Sequence, residues 1–330
     1  MAFTDYHRKD ISETTFLVTG GGGFIGSNLV HYLMHFKAGK VKVLDNFSTG
    51  DKQNLRPFME APNFEFIEGD ISDYTTCDKA CQEVDYVLHQ AALGSVPRSI
   101  KQPLDTNKAN VTGFLNMLNA ARVNGVRRMV YASSSSVYGD NPNLPKKEES
   151  IGQPLSPYAV SKLTNELYAK VAFMNHGQEL IGLRYFNVFG PNQSPKGVYA
   201  AVIPLFIKAL LDNVSPYING DGKQSRDFTY VDNAVQANIR ALFTEREEAL
   251  GEAFNVAVGE QTNLLELFNL IKDKTGSAAT AVHREDRPGD IRDSLADISK
   301  AKELLDYQPQ VRFKEGIEKT IEWFLSQRVK

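Results

Sequence analysis

Sulfur and indole are scarce in this sequence: 330 residues hold two cysteines, six methionines and one tryptophan. Cys77 and Cys81 stand four apart on what reads as one helix face, which suits neither a disulfide framework nor a C-x-x-C redox pair. Both are expected to be free thiols. Long runs of one charge are also missing: 37 basic against 40 acidic side chains leave a formal net charge of −3. That balance carries no electrostatic footprint for nucleic acid or an anionic membrane surface, so neither is expected as a partner. The longest apolar stretch, around Ala200 to Leu211, falls far short of the ~20 residues that span a bilayer. The first ten residues lack the apolar core of a signal peptide, and a cytoplasmic location is expected. His31 and His35 are four apart but enclose Tyr-Leu-Met, with no general-base Glu and no third ligand, and the other four histidines are scattered, so no metal site is expected.

Present instead is an ordinary globular composition, 42% hydrophobic and 23% charged. Its length suits about two domains. Strand-like runs at Phe16–Thr19, Val41–Asp45, Phe64–Ile67, Tyr86–His89, Met129–Ser133 and Leu180–Tyr185 alternate with helix-length segments. Among these, Phe24–Phe36, Leu104–Asn124 and Pro157–Phe173 carry apolar residues at three- and four-residue spacing. The pattern predicts an α/β fold, a Rossmann-type doubly wound parallel sheet, over residues 1–187. After Gly190 come turn-rich pieces and shorter helices at Ala201–Leu211, Val231–Phe243, Leu264–Lys274 and Phe313–Leu325. Residues 188–330 are therefore expected to form a smaller α/β substrate domain, with some segments returning to the first.

Directly after the first strand runs Thr19-Gly20-Gly21-Gly22-Gly23-Phe24-Ile25-Gly26, leading into a helix. Glycines at 20, 23 and 26 permit the tight turn and close approach of a pyrophosphate, which the helix N-terminus attracts with free N–H groups. The second strand ends at Asp45, 19 residues beyond Gly26, where a carboxylate accepts ribose hydroxyls and repels a 2′-phosphate. NAD rather than NADP is the expected cofactor. Asp70, ending the third strand, reads equally as a turn acid and as the adenine end of that site.

The fifth strand runs into Ser133-Ser134-Ser135-Ser136-Val137-Tyr138-Gly139, and Tyr158-Ala-Val-Ser-Lys162 then puts Tyr and Lys one helical turn apart. A phenol of pKa near ~10 needs about 3 units of help, roughly 4 kcal/mol, to act as a base near neutrality. A neighbouring ammonium and a cationic nicotinamide supply it electrostatically.

In that order, the glycine loop, the serine run, Tyr158-x-x-x-Lys162 and Arg184-Tyr-Phe-Asn-Val188 resemble the extended short-chain dehydrogenase/reductases, and more narrowly the UDP-sugar 4-epimerases. His89-Gln-Ala-Ala-Leu-Gly-Ser-Val-Pro-Arg-Ser99 and Gly289-Asp290-Ile-Arg-Asp-Ser294-Leu-Ala-Asp297 are similar to the UDP-N-acetylglucosamine 4-epimerases. The resemblance implies that Tyr158 is the acid/base at the sugar 4-hydroxyl, that Ser134 shares the proton path, with Ser135 and Ser136 as competitors, and that Lys162 tunes Tyr158. It implies NAD contacts at Gly20, Gly23, Phe24, Ile25, Gly26, Asp45, Asn46, Ser48, Thr49, Gly50, Asp70, Ile71, Gln90, Ala91, Ala92, Asn110, Tyr158, Lys162, which bonds the nicotinamide ribose, and Tyr185. For the UDP-sugar it implies Gly94, Ser95, Asn187, Ala201, Val202, Tyr217 near the uracil, Arg226 and Arg287 on the diphosphate, Asp290 and Ser294. Each arginine taken alone reads equally as a surface ion pair. Ser294 falls where a bulky aromatic confines relatives to glucose and galactose forms and a small residue admits a 2-acetamido group; Gly94 widens the same end. Reversible C4 epimerisation through a 4-keto sugar is thus expected, in a homodimer paired through the helices at Leu104–Asn124 and Pro157–Phe173.

Other readings of the same fold are a 4,6-dehydratase, which would place Asp-Glu where Ser135-Ser136 stand, and a UDP-glucuronate decarboxylase or uronate 4-epimerase, for which Arg98 and Arg292 are the nearby cations. A dinucleotide-sensing protein without catalysis would be free to lose the Tyr and Lys, and both are present.

Overall fold

The computed structural model describes residues 4–196, 199–285 and 292–328. Seven parallel strands form the central sheet: β1 (Thr15–Thr19), β2 (Lys40–Asp45), β3 (Phe64–Glu68), β4 (Tyr86–His89), β5 (Arg128–Ser134), β6 (Glu179–Tyr185) and β11 (Glu252–Val256). Their order is β11-β6-β5-β4-β1-β2-β3, so the winding direction reverses between β1 and β4. Ligands of open α/β sheets lie at that reversal, beyond the strand C-termini.

Strand side chains alternate between two cores. Phe16, Val18, Tyr86, Leu88 and Val130 face one side, and Leu17, Val87, Met129 and Tyr131 the other. Both sets are buried because helices cover both faces, which is why these strands read as nearly continuous apolar runs. On the first face lie α1 (Phe24–His35), α8 (Val231–Phe243) and α10 (Ser299–Leu305). The second face carries α2 (Tyr74–Cys81), which holds Cys77 and Cys81 as buried free thiols. Beside it run α4 (Pro103–Asn107), α5 (Gly113–Val123) and α6 (Pro157–His176). The single helix expected over Leu104–Asn124 is interrupted: residues Lys108–Thr112 form a wide π-turn between α4, which packs on α6, and α5, which packs on α2. α3 (Val96–Lys101) precedes them, capped by the Ser95 side chain at φ 96.

The remaining elements build a third core around Phe189, Phe206, Phe228, Tyr230, Phe268 and Phe313. They are α7 (Val202–Leu211), α9 (Leu264–Thr275), α11 (Phe313–Arg328) and the short strands β7 (Val188–Phe189), β8 (Tyr217–Asn219), β9 (Ser225–Arg226), β10 (Thr229–Tyr230), β12 (Thr262–Asn263) and β13 (Val282–Arg284). β11 and α8 return to the large sheet from this part of the chain. Among the described residues no helix is long and apolar enough to cross a membrane.

Candidate active site

A cavity of about 470 Å³ lies over the β1/β4 reversal. Its floor is the glycine loop. Gly20 has φ +68, and a Cβ there would stand 2.7 Å from the Ala91 nitrogen; a Cβ at Gly26 would stand 2.1 Å from the Gly20 oxygen. No other residue fits without moving backbone. Gly23 opens α1 with no side-chain cap, leaving the first-turn N–H groups directed at the cavity, which Phe24, Ile25 and Gly26 line.

Asp45 Oδ2 accepts the Gly22 N–H at 2.8 Å and Oδ1 the Phe47 N–H at 2.7 Å, so the carboxylate fixes the loop while retaining lone pairs toward the cavity. Burial pushes its pKa up against those backbone hydrogen bonds. Asn46 donates to Asp70 at 3.1 Å. Burial raises the Asp70 pKa, but the Ser72 and Asn46 hydrogen bonds outweigh it and leave the group below its usual value. Ser48, Thr49, Asp70, Ile71, Gln90, Ala91, Ala92 and Tyr185 also line the cavity. Gln90, Tyr185 and Asn238 close a hydrogen-bonded triangle under it, at 3.0, 3.1 and 2.7 Å. An uncapped helix start, a glycine cradle and a ribose-level carboxylate together fit NAD.

Two of the expected cofactor residues stand behind the wall. Gly50 abuts Gly22, and Asn110, in the wide turn, clasps Leu93 by accepting from its N–H at 2.7 Å and donating to its carbonyl at 3.1 Å. Asp105, in α4, and Lys108 and Ala109, in the wide turn, line the cavity without having been expected from the sequence, whose unbroken apolar periodicity conceals that turn.

At the catalytic end Ser156 caps α6 and Pro157 occupies its first turn, which fixes the entry of the helix. Lys162 is buried and its Nζ donates to the Ala132 carbonyl at 2.8 Å, 5.9 Å from the centre of the Tyr158 ring. Burial lowers the Lys162 pKa to about 8, and Glu166 opposes the shift. Burial raises the Tyr158 phenol above its usual value, while a hydrogen bond with Ser134 lowers it. Of the four hydroxyls, Ser133 and Ser134 end β5 and Ser135 and Ser136 open a 3-10 turn. Ser133 Oγ donates to Glu166 at 2.5 Å, Ser134 Oγ accepts from the Ser136 N–H at 3.2 Å, and the buried Ser136 Oγ has no partner among the described residues. Arg184 holds Glu166 through two bonds, at 2.9 and 2.8 Å, and thereby ties α6 to β6. His89, between Thr19 and Lys162, is kept neutral: burial lowers its pKa to about 3, with Lys162 adding to the shift.

Hydrogen bonds join the expected substrate residues of the second part. Asn187, at φ 37, donates to the Asp227 carbonyl at 3.1 Å; Ser294 N–H donates to the Ser225 carbonyl at 3.2 Å; Arg226 donates to the Ser225 and Arg292 carbonyls at 2.8 and 2.9 Å. Ala201 and Val202 form the start of α7, which has no side-chain cap. Tyr217 is exposed, with the Arg284 guanidinium 5.2 Å above its ring. Gly94 lines the cavity, and a Cβ there would meet no heavy atom within 4 Å. Arg287 and Asp290 lie outside the described residues. Asp227, which the sequence reading passed over beside Arg226, is fully buried at the junction of these segments.

The family model for the NAD dependent epimerase/dehydratase family matches residues 16–257. A putative UDP-glucose 4-epimerase of Methanocaldococcus jannaschii is 40% identical over 93% of this chain and 97% of its own. A UDP-N-acetylglucosamine 4-epimerase from Methanobrevibacter ruminantium, solved with UDP-N-acetylmuramic acid, is 41% identical with a TM-score of 0.89, covering 95% of this chain and 99% of that one. A UDP-glucuronic acid 4-epimerase from Bacillus cereus, solved with UDP-glucuronic acid and NAD, is 32% identical with a TM-score of 0.87, covering 95% and 100%. With the glycine cradle, Asp45 and the Tyr158–Lys162 pair in place on the seven-stranded sheet, the chain belongs to the NAD dependent epimerase/dehydratase family, as an NAD-dependent enzyme of the UDP-sugar 4-epimerase type.

Proposed function

We propose that the enzyme interconverts UDP-N-acetylhexosamines at C4, UDP-GlcNAc with UDP-GalNAc, and accepts UDP-Glc and UDP-Gal as well. The observation that carries this is room at the sugar end. The Cβ direction of Gly94 is open, and Ser294 keeps a small side chain where the family gates the 2-acetamido group. The Methanobrevibacter relative, named for an N-acetylated substrate, supports the same reading.

Tyr158 moves the proton of the 4-hydroxyl. Burial holds the phenol protonated, and the Ser134 hydroxyl opposes this by hydrogen bonding to the phenolate, while the Lys162 ammonium stands 5.9 Å from the ring centre, where its charge favours the phenolate. Ser134 shares the proton path, and Lys162 is held in place by the Ala132 carbonyl. NAD, which the glycine cradle and Asp45 would hold, would supply the hydride acceptor and donor for the sugar C4. Arg226 grips the diphosphate while Asn187 and the start of α7 hold the rest of the nucleotide, so the ketose turns over with its handle fixed. Ser294 and Gly94 leave it the space to do so.

A uronate 4-epimerase needs a cation at the C6 carboxylate. Arg98, 5.2 Å over the Tyr199 ring and four residues from Gly94, favours that second reading, whereas Arg292 pairs with Asp221 at 3.2 Å. Exposed apolar residues on the α4 and α6 side, Leu104, Leu167, Val171 and Met174, support a homodimer paired through these helices.

The test is proton NMR of the purified protein with UDP-GlcNAc and UDP-Glc in separate tubes, no NAD added. Conversion of UDP-GlcNAc to UDP-GalNAc is expected. Activity on UDP-glucuronate alone, with neither of the other sugars changed after NAD is supplied, would overturn the substrate reading in favour of Arg98.

A further inference from the structure

Asp227 is 0% exposed, and its carboxylate has no ion-pair partner among the described residues. Such a burial is costly, and it pushes the Asp227 pKa up to about 6. What the carboxylate touches accounts for its presence. Oδ1 accepts the Val258 N–H at 3.1 Å, and Oδ2 accepts the N–H groups of Gly259 at 3.1 Å and Ala296 at 3.2 Å. Two segments distant in sequence, the turn after β11 and the strand-like piece 292–296, are thus pinned to the same side chain. An ionised carboxylate is acceptor-only and meets several N–H donors at once, which no neutral side chain of this size does.

The pinned pieces carry the residues read as gripping the substrate. Ser294 lies two residues before Ala296, and its N–H donates to the Ser225 carbonyl. The Ser225 hydroxyl donates to Asp293 at 2.5 Å, and Arg226 precedes Asp227 and donates to the Arg292 carbonyl. Asn187 donates to the carbonyl of Asp227 itself. Tyr158, Ser134 and Lys162 stand on β5 and α6, away from this junction.

We propose that Asp227 is a positioning residue for the UDP-sugar, its carboxylate fixing Arg226, Asn187 and Ser294 relative to one another. This rests on the reading of those three residues as the nucleotide-sugar wall. It assigns Asp227 to substrate binding and not to the proton or cofactor chemistry.

The experiment compares Asp227→Asn and Ser225→Ala with the wild-type NAD-loaded enzyme, by steady-state kinetics on UDP-GlcNAc and UDP-Glc and by calorimetric titration with UDP, all per bound NAD. Asparagine would turn an amide donor onto the backbone donors. KM and the UDP Kd are expected to rise about tenfold, the scale of one displaced charge-assisted contact, with kcat changed less than about threefold. Ser225→Ala buries no charge and keeps the fold if Asp227→Asn does not; it should raise KM about threefold, a neutral hydrogen bond's worth. A purely structural role would lower the yield of NAD-loaded enzyme and leave KM alone. KM and Kd within twofold of wild type in the folded variants overturn the inference. Arg226→Met is the control on the underlying reading: if UDP affinity is unchanged there, the wall itself has been misread and the inference falls with it.

Discussion

Gly94 is the glycine whose substitution separates substrate choice from folding. At Gly20 and Gly26 a methyl group would meet backbone at 2.7 and 2.1 Å, and at Gly139 it would meet the Gln153 carbonyl. At Gly94 it would meet nothing within 4 Å, and the residue is exposed. Its backbone also lies outside the left-handed region. Gly94→Ala should therefore stabilise the protein by about 0.4–1 kcal/mol through lost freedom of the unfolded chain, a rise in Tm of about 0.5–1.5 °C for a chain of this length. Gly94→Leu should fold equally well, because the added carbons enter open space. On the proposed function, that space is where the 2-acetamido group of an N-acetylated sugar would go. One methylene of misfit in a pocket is worth about 10–200-fold in kcat/KM, so Gly94→Leu should cut UDP-GlcNAc turnover by at least about tenfold while UDP-Glc stays within about threefold. The assay is kcat/KM on both sugars beside Tm and NAD content. Equal losses on both sugars, or a fall in NAD content, would refute the claim that this direction leads to the sugar; a Tm lower by several degrees would refute the claim of empty space.

Tyr158→Phe should lower kcat by about 10²–10⁴-fold with NAD still bound, read by turnover and by cofactor absorbance after desalting; a variant of near wild-type rate would remove Tyr158 from the proton path. Asp232, in the first turn of α8, has a buried Oδ1 without a partner among the described residues, and burial raises its pKa to about 6 while Lys319 opposes. With the folded value above the unfolded one, the proton favours the fold. This group's contribution is fullest below pH ~4 and is lost as the pH rises through about 6, a cost of about 3 kcal/mol at pH 7.5, reduced somewhat by the helix N-terminus. Asp232→Asn should accordingly raise Tm at pH 7.5 and do so less than half as much at pH 4.5; a gain that did not shrink in acid would show that the charge is not its source.

The parts legible in the sequence are those whose physics is local. Alternating cores make the strands apolar, the glycine loop demands glycines, and Tyr158 and Lys162 meet because a helix turn brings them together. What the sequence conceals depends on tertiary partners. β11 is five residues long and carries Asn255, a polar residue that is buried only because Tyr138, Lys146 and Asp297 satisfy it. Asp227 carries no signal in the sequence beside Arg226, because its role depends on three backbone donors from two distant segments that converge on it. Asn110 and Gly50 were legible as important but not as acting from behind the cavity wall, since a motif names a residue without giving the direction of its side chain.

The wide turn at residues 108–112 makes chain length itself a functional quantity. It holds one residue more than an α-helical turn, which rotates the helix beyond it by about 100° relative to the helix before it. One stretch of helix can then address α6 with its first half and α2 with its second, while Asn110 points between them at Leu93. Deleting a single residue there would restore a regular helix and, in doing so, turn one of those three faces to the wrong neighbour. Segments of this kind tolerate exchange of side chains far better than a change in their number, so insertions and deletions, not substitutions, are the changes that would disassemble this wall of the site.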